Sequence, residues 1–249
     1  MLISTHLAKT AGTSFGKSLE NHFGEYLRKD YDDLPFNTPV IQRNLRAMKD
    51  CLAGSFRTFN GVECIHGHFL PLKYLLIGTR KDVKFITWLR DPVERLASQY
   101  YYWQRTYKPN LPQPFRRRVT EENWSLERFC LSNELRNFYG QLFWGFPISR
   151  FNFIGITEHY EEDFRFFSEN VLGVSLPTYR ANTNEEMNES KIYITDLNLR
   201  KKSRLTTKKI WPCITEFWKS GHTSIQLCAN EHSHGKQGIY RSSHYSLNL

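Results

Sequence analysis

The chain has 249 residues, 40% of them apolar and 15% aromatic, the balance of a globule that buries a sizeable core, which excludes collagen-like, low-complexity and disordered classes. No run approaches the roughly 18 uncharged apolar residues that a membrane-spanning helix needs, and MLISTHLAKTAG is not a basic start followed by a long apolar segment, so neither span nor leader is expected. The formal net charge of +9 points toward phosphate-bearing, sulfated or nucleic-acid partners, although residues 203–249 hold six Lys/Arg against two Asp/Glu and so carry about four of those charges.

LISTHL reads as a short strand, and Phe15, Leu19, Phe23 and Leu27 follow at a spacing of four, the apolar stripe of a helix that Thr13 or Ser14 would cap. DDLPFNTP is turn-rich and IQRNLRAMKDCL reads as a helix; VECIHGHF reads as a strand ending in a loop. DVKFITWL is a near-continuous apolar strand of the kind covered on both faces. Asp91 as cap and Pro92 at the first helical position then open the helix DPVERLASQYYYWQR. KPNLPQPFRRRVT, residues 108–120, reads as a proline- and arginine-rich loop, and WSLERFCLSNELRNFYGQLF as one helix capped by Ser125. FNFIGIT is a further strand, and EHYEEDFRFFSENVLG a helix closed by Gly173. Strands alternating with helices imply an α/β fold, P-loop-like, with a central mostly parallel sheet flanked by helices. Cys51, Cys64, Cys130, Cys213 and Cys228 are scattered, odd in number and without a CxxC pair. Reduced buried thiols and a cytoplasmic location are expected.

The chemistry concentrates in HLAKTAGTSF, residues 6–15. A glycine and small residues between a strand and a helix let backbone N–H groups approach an anion, and the helix N-terminus adds partial positive charge. In a nucleotide-hydrolysing P-loop the lysine follows the glycines; here Lys9 precedes Gly12, which does not spell an ATP or GTP site. KTAGTSF resembles the 5′-phosphosulfate loop of sulfotransferases that use 3′-phosphoadenosine 5′-phosphosulfate (PAPS), with the closest likeness to the carbohydrate 2-O-sulfotransferase-like family. That family's usual wording is HIPKTAGTS, and Ala8 stands here in place of the proline. RDPVERLASQYYY, about 80 residues on, resembles its 3′-phosphate block. VECIHGHF resembles its GHF segment, in which a histidine faces the acceptor.

The resemblance implies that Lys9, Thr10, Ala11, Gly12, Thr13 and Ser14 hold the 5′-phosphosulfate of PAPS, and that Arg90 and Ser98 hold the 3′-phosphate. It implies transfer of a sulfuryl group in line to a hydroxyl of a carbohydrate acceptor, without a metal. His68 would be the base, His66 its helper or substitute, and Lys9 the group that stabilises charge on the departing phosphate. Cys64, His66 and His68 share one strand face, so a metal site is the competing reading of that segment. The YYYW run at 100–103 is expected in the core, and the arginines at 116–118 in a solvated loop that could also grip an anionic polymer.

The likeness covers residues 1 to about 202, the expected sulfotransferase domain; residues 203–249 form an atypical tail. One explanation is a frameshift, since a codon choice exists in which the neighbouring frame of residues 203–218 encodes an amphipathic helix of the family's kind; a genuine tail is the other. Animal relatives in the family are Golgi membrane proteins, whereas no anchor is expected here. The competing functions are a P-loop-like nucleotide kinase or NTPase, and a non-catalytic polyanion-binding protein. No nucleic-acid partner is expected; acceptor identity and oligomeric state are not legible.

Overall fold

The computed structural model describes residues 1–54, 59–79, 82–110, 112–179, 193–194 and 196–205. Five strands, β1 (Leu2–His6), β2 (Leu27–Asp30), β3 (Cys64–Gly67), β4 (Lys84–Leu89) and β5 (Phe151–Ile156), form one sheet in the order β2-β3-β1-β4-β5. Every pairing is parallel, as the near-continuous apolar strands required. The helices are α1 (Gly12–Phe23), α2 (Val40–Gly54), α3 (Pro92–Arg105), α4 (Pro114–Glu121), α5 (Leu126–Leu131), α6 (Phe138–Leu142), α7 (Tyr160–Phe166) and α8 (Leu197–Leu205). A π-helical turn, Phe167–Leu172, extends α7 and ends at Gly173, whose φ of 78° is the left-handed stop expected there. Among the described residues no helix is long and apolar enough to cross a membrane.

Alternation along the strands divides the core in two. Phe15, Leu19 and Phe23 of α1 pack with Phe164 and Phe167 onto Leu2, Cys64, Ile86, Trp88 and Phe153. Ile3, Ile65, Phe85, Leu89 and Ile154 face the opposite layer, which includes Leu96, Trp103, Phe129 and Phe138. Burial of each such large apolar side chain contributes about 1.5–3 kcal/mol.

Several local expectations need correction. Leu27 is not the end of the α1 stripe: Gly24 takes φ 52° at the helix end and Leu27 opens β2. The proposed single helix from 124 to 143 is α5, a short turn and α6, broken where Asn137 takes a left-handed φ of 50°. The arginine-rich loop is helix α4, with Pro114 at its start. Asp91 does cap α3, accepting from the N–H groups of Val93 and Glu94 at 2.9 and 3.1 Å.

Helix α8 packs on α3 and α5; Arg200 pairs with Glu94, and the Tyr193 N–H donates to Glu94 at 2.6 Å. The expected boundary at 202 therefore falls inside a helix whose Ser203 is buried. The rest of the atypical tail, residues 206–249, lies outside the described residues.

Candidate active site

In this sheet order β1 is central, and the connections leave β1 and β4 toward opposite edges. The carboxyl ends of those two strands therefore flank the crevice where α/β sheets bind ligands. Lys9 follows β1 and Arg90 follows β4.

The loop after β1 is unusually shaped for residues with side chains. Lys9 has φ 73° and Ala11 φ 59°, both left-handed, a conformation that costs a non-glycine residue about 1–2 kcal/mol. The left-handed turn at Ala11 delivers the chain directly into α1, with no side-chain cap and no acidic residue in the first turn. Neither Thr13 nor Ser14 caps the helix, contrary to expectation. The positive end of α1 thus has neither a side-chain cap nor a neighbouring carboxylate in its first turn to compete with an anion. Thr13 is exposed and Ser14 buried; Thr10 is buried and its hydroxyl donates to the Leu7 carbonyl at 2.9 Å, closing the loop on itself.

Gly12 is required by a neighbour. A Cβ there would lie 1.9 Å from Nε2 of His6, whose ring rests on the start of the helix. Gly12→Ala is expected to displace the ring or the loop and to weaken binding of the nucleotide that the sequence motifs lead one to expect, probed as 3′-phosphoadenosine 5′-phosphate (PAP), at least about tenfold, the loss of one or two charge-assisted hydrogen bonds. Calorimetric titration checks this; an unchanged affinity would show that the close approach is dispensable.

Arg90 is fixed through its backbone. Its N–H donates to Tyr139 Oη at 3.0 Å, and the same phenol donates to the Arg90 carbonyl at 2.8 Å. Its guanidinium donates to the Lys9 carbonyl at 3.3 Å, lies 3.9 Å from Glu158 and covers the Tyr193 ring at 5.4 Å. The two motifs, 81 residues apart in sequence, thus meet in space. The Lys9 ammonium sits 4.2 Å above the Tyr102 ring. Burial, then the positive charges of Arg90 and Arg105, bring its pKa down to about 8, an arrangement that an incoming anion relieves. Ser98 is buried on the second turn of α3.

Strand register supplies a histidine cluster. Ser4 lies opposite His66 and Thr5 opposite Gly67, so His6 comes opposite His68. His6 stacks on His66 at 4.7 Å, and its Nε2 lies 3.1 Å from Nε2 of His68. Tyr31 meets the His68 ring edge-on at 5.0 Å. His66 is 1% exposed, covered by Phe15 and Gly16 of α1, with Nδ1 2.9 Å from Ser4 Oγ. The expectation of His66 as a substitute base is therefore corrected: α1 covers it, whereas His68 lies beyond the strand end and lines a cavity. Burial above all draws both His66 and His68 down to about 4, Asp33 opposing this for His68. At neutral pH His68 is an uncharged imidazole, the form in which a ring can accept a proton. Sequence reasoning missed His6; its signal was the strand-end position beside the glycine loop. Cys64, proposed with these histidines as a metal set, is packed in the core with its thiol pushed up by burial. Among the described residues no group of three His, Cys, Asp or Glu could hold a metal.

The cavity, about 250 Å³, is bounded on its polar side by His6, His68, Asp33, Arg95, Gln99 and Arg116. Arg95 is 2% exposed, and among the described residues its Nε and Nη1 have no hydrogen-bond partner; the same holds for Gln99 Oε1 and Arg116 Nε. The Arg95 guanidinium covers the Phe138 ring at 5.0 Å. Arg116 was expected in a solvated loop but is buried in α4, donating to Thr106 Oγ1 at 2.7 Å. In the YYYW run Trp103 is core, as expected, while Tyr101 and Tyr102 are 40% and 37% exposed.

Fold and site together define an α/β protein in which a lysine and an arginine meet at the carboxyl edge of a parallel sheet, beside a largely apolar cavity with histidines and arginines on its polar side. No family model matches the chain. It is 31% identical over 121 residues to heparan sulfate 2-O-sulfotransferase 1 of Mus musculus, and 28% identical over 125 residues to that of Homo sapiens. Both matches cover 45% of this chain and 32% of the relative, so the chain matches about a third of those proteins' length. Among solved structures, it is similar to a sulfotransferase from Alicyclobacillus acidocaldarius, with 17% identity, 88% of this chain and 94% of that chain covered, and a TM-score of 0.42. A mouse sulfotransferase complexed with PAP has 14% identity, 88% coverage of both chains and a TM-score of 0.39. The sequence comparisons thus bear out the resemblance to carbohydrate 2-O-sulfotransferases.

Proposed function

We propose that the protein transfers a sulfuryl group from PAPS to a hydroxyl of an acidic glycan. The observation that carries this reading is the meeting of Lys9 and Arg90, through a 3.3 Å hydrogen bond, at the carboxyl edge of β1 and β4 beside the cavity of His68. When bound, PAPS supplies a sulfuryl group whose bond to the 5′-phosphate breaks as the acceptor oxygen takes it, leaving the bonding electron pair on that phosphate. The loop from Thr10 to Ser14 holds the 5′ end, and Lys9 faces the charge that grows there. Arg90, whose planar fork pairs two oxygens, holds the 3′-phosphate with Ser98. His68 takes the acceptor's proton.

Arg95 supports an acidic acceptor: a buried guanidinium whose Nε–H and Nη1–H groups find no partner among the described residues is costly unless a ligand anion completes it. Heparan sulfate, in the relatives' name, has that character. The runner-up, a nucleotide kinase or NTPase, is disfavoured because Lys9 precedes the glycine; Mg²⁺-dependent ATP turnover would restore it. A cytoplasmic location belongs to the same proposal, supported by the buried free thiols Cys51, Cys64 and Cys130, and cell fractionation decides it.

The test is incubation with PAPS labelled in its sulfate and a panel of neutral, carboxylated and sulfated glycans. Label is expected in the acidic members, and label in none would overturn the reading. Arg90→Ala is expected to weaken PAP binding about 10- to 100-fold, the value of lost charge-assisted hydrogen bonds, with kcat changed by less than about threefold. Kinetics at saturating PAPS separate the two effects.

A further inference from the structure

The His6–His68 contact contains more information than the identity of a base. Both rings are buried enough to be neutral near pH 7: burial and the adjacent imidazoles hold His6 well below the usual histidine range, and burial holds His68 at about 4. Two neutral imidazoles that meet Nε2 to Nε2 at 3.1 Å form a hydrogen bond only if one nitrogen carries the proton and the other a lone pair. The rings must then hold opposite tautomers.

The two assignments differ in consequence. If His6 donates, the Nε2 lone pair of His68 is occupied and its other nitrogen carries a proton, so the ring has no free site for a substrate proton. If His68 donates its Nε2–H, its Nδ1 lone pair is free. Only the second arrangement leaves His68 able to take a substrate proton, and the ring of His6 is fixed in position to receive its Nε2–H. That ring is stacked on His66, which is itself bonded to Ser4, and it rests against Gly12, where no Cβ could fit.

We propose that His6 is a positioning residue that accepts the Nε2–H of His68 and holds the base in the tautomer with its lone pair on Nδ1. The catalytic consequence rests on the sulfotransferase reading; the hydrogen bond does not. When the acceptor hydroxyl gives its proton to Nδ1, His68 becomes an imidazolium and its Nε2–H bond to His6 becomes charge-assisted. It strengthens as the positive charge forms.

The test combines ¹⁵N NMR of the histidine rings in the full chain with steady-state kinetics. In the unaltered protein His68 is expected to carry its proton on Nε2. His6→Phe keeps an aromatic ring against His66 and Gly12 but offers no acceptor. It is expected to convert His68 to a mixture of tautomers and to lower kcat about 10- to 100-fold, as loss of an orienting partner does, with PAP affinity and acceptor KM within about twofold. His6→Gln, which restores an acceptor oxygen, is expected to recover most of the Nε2–H form and of the rate. A proton on Nδ1 of His68 in the unaltered protein overturns the proposal, as does a phenylalanine variant with unchanged tautomer and kcat. The first measurement decides even if the phenylalanine variant fails to fold. Absence of sulfate transfer by the unaltered protein would instead sink the sulfotransferase reading, with the tautomer still deciding the role of His6.

Discussion

Lys9→Ala is expected to reduce kcat by about 10²- to 10³-fold, the loss that follows removal of one preorganised charge-stabilising donor from an active site. The effect should fall on the rate rather than on the fold. Lys9 already occupies a left-handed φ of 73°, where alanine is no more strained than lysine. Its ammonium is desolvated beside Arg90 and Arg105, so its removal relieves repulsion. The melting temperature should therefore stay level or rise slightly, and PAP affinity should fall only a few-fold because the loop amides and Arg90 remain. The same variant separates the competing functions. A passive polyanion binder would keep its steep salt dependence without Lys9, whereas the proposed enzyme loses turnover. A Lys9→Ala protein within threefold of the original kcat would show that the loop amides suffice alone.

The parts of this site that were legible in the sequence are those that local chemistry dictates. A lysine and glycine between a strand and a helix, and an RDP at a strand end, announce backbone geometry and charge wherever they occur. The meeting of Lys9 with Arg90 then follows from the parallel sheet. The parts that were not legible depend on register. His6 looked like an ordinary strand residue; only the pairing of β1 with β3 brings it opposite His68. Arg116 looked solvated because the prolines around it read as loop, yet Pro114 was a helix-start signal. Burial of Arg95 and Arg116 around the cavity is a tertiary outcome that no periodicity encodes. Strand β2 was missed because Leu27 continued the spacing of four that Phe15, Leu19 and Phe23 establish, and nothing in a periodicity records where Gly24 turns the chain.

The histidine cluster is expected to make the fold acid-labile. His6 is held well below its ordinary value, and His66 and His68 are drawn down to about 4 from 6.5, by burial first of all. A buried neutral histidine stabilises the fold fully above the unfolded value, and that contribution is lost as pH falls from about 6.5 toward the folded value. Each such group removes about 1.4 kcal/mol per pH unit within that window. Asp163 acts in the opposite sense: burial raises it to about 8 from 3.8, the Ile156 N–H opposing, so its protonated form favours the fold as pH falls. Glu158 is raised by burial as well. Between pH 6.5 and 5, His66 and His68 together lose about 3 kcal/mol and Asp163 returns about 2, leaving a net loss of about 1 kcal/mol to which His6 adds and which Glu158 opposes. Urea unfolding at pH 7, 6 and 5 measures it, and His66→Phe should flatten the decline by removing one titrating ring. A urea midpoint that does not move over that range would mean that the rings accept protons without penalty. Burial would then not be what keeps His68 an uncharged base, and the same imidazole cluster could not both hold the proton acceptor ready and limit the fold to near-neutral pH.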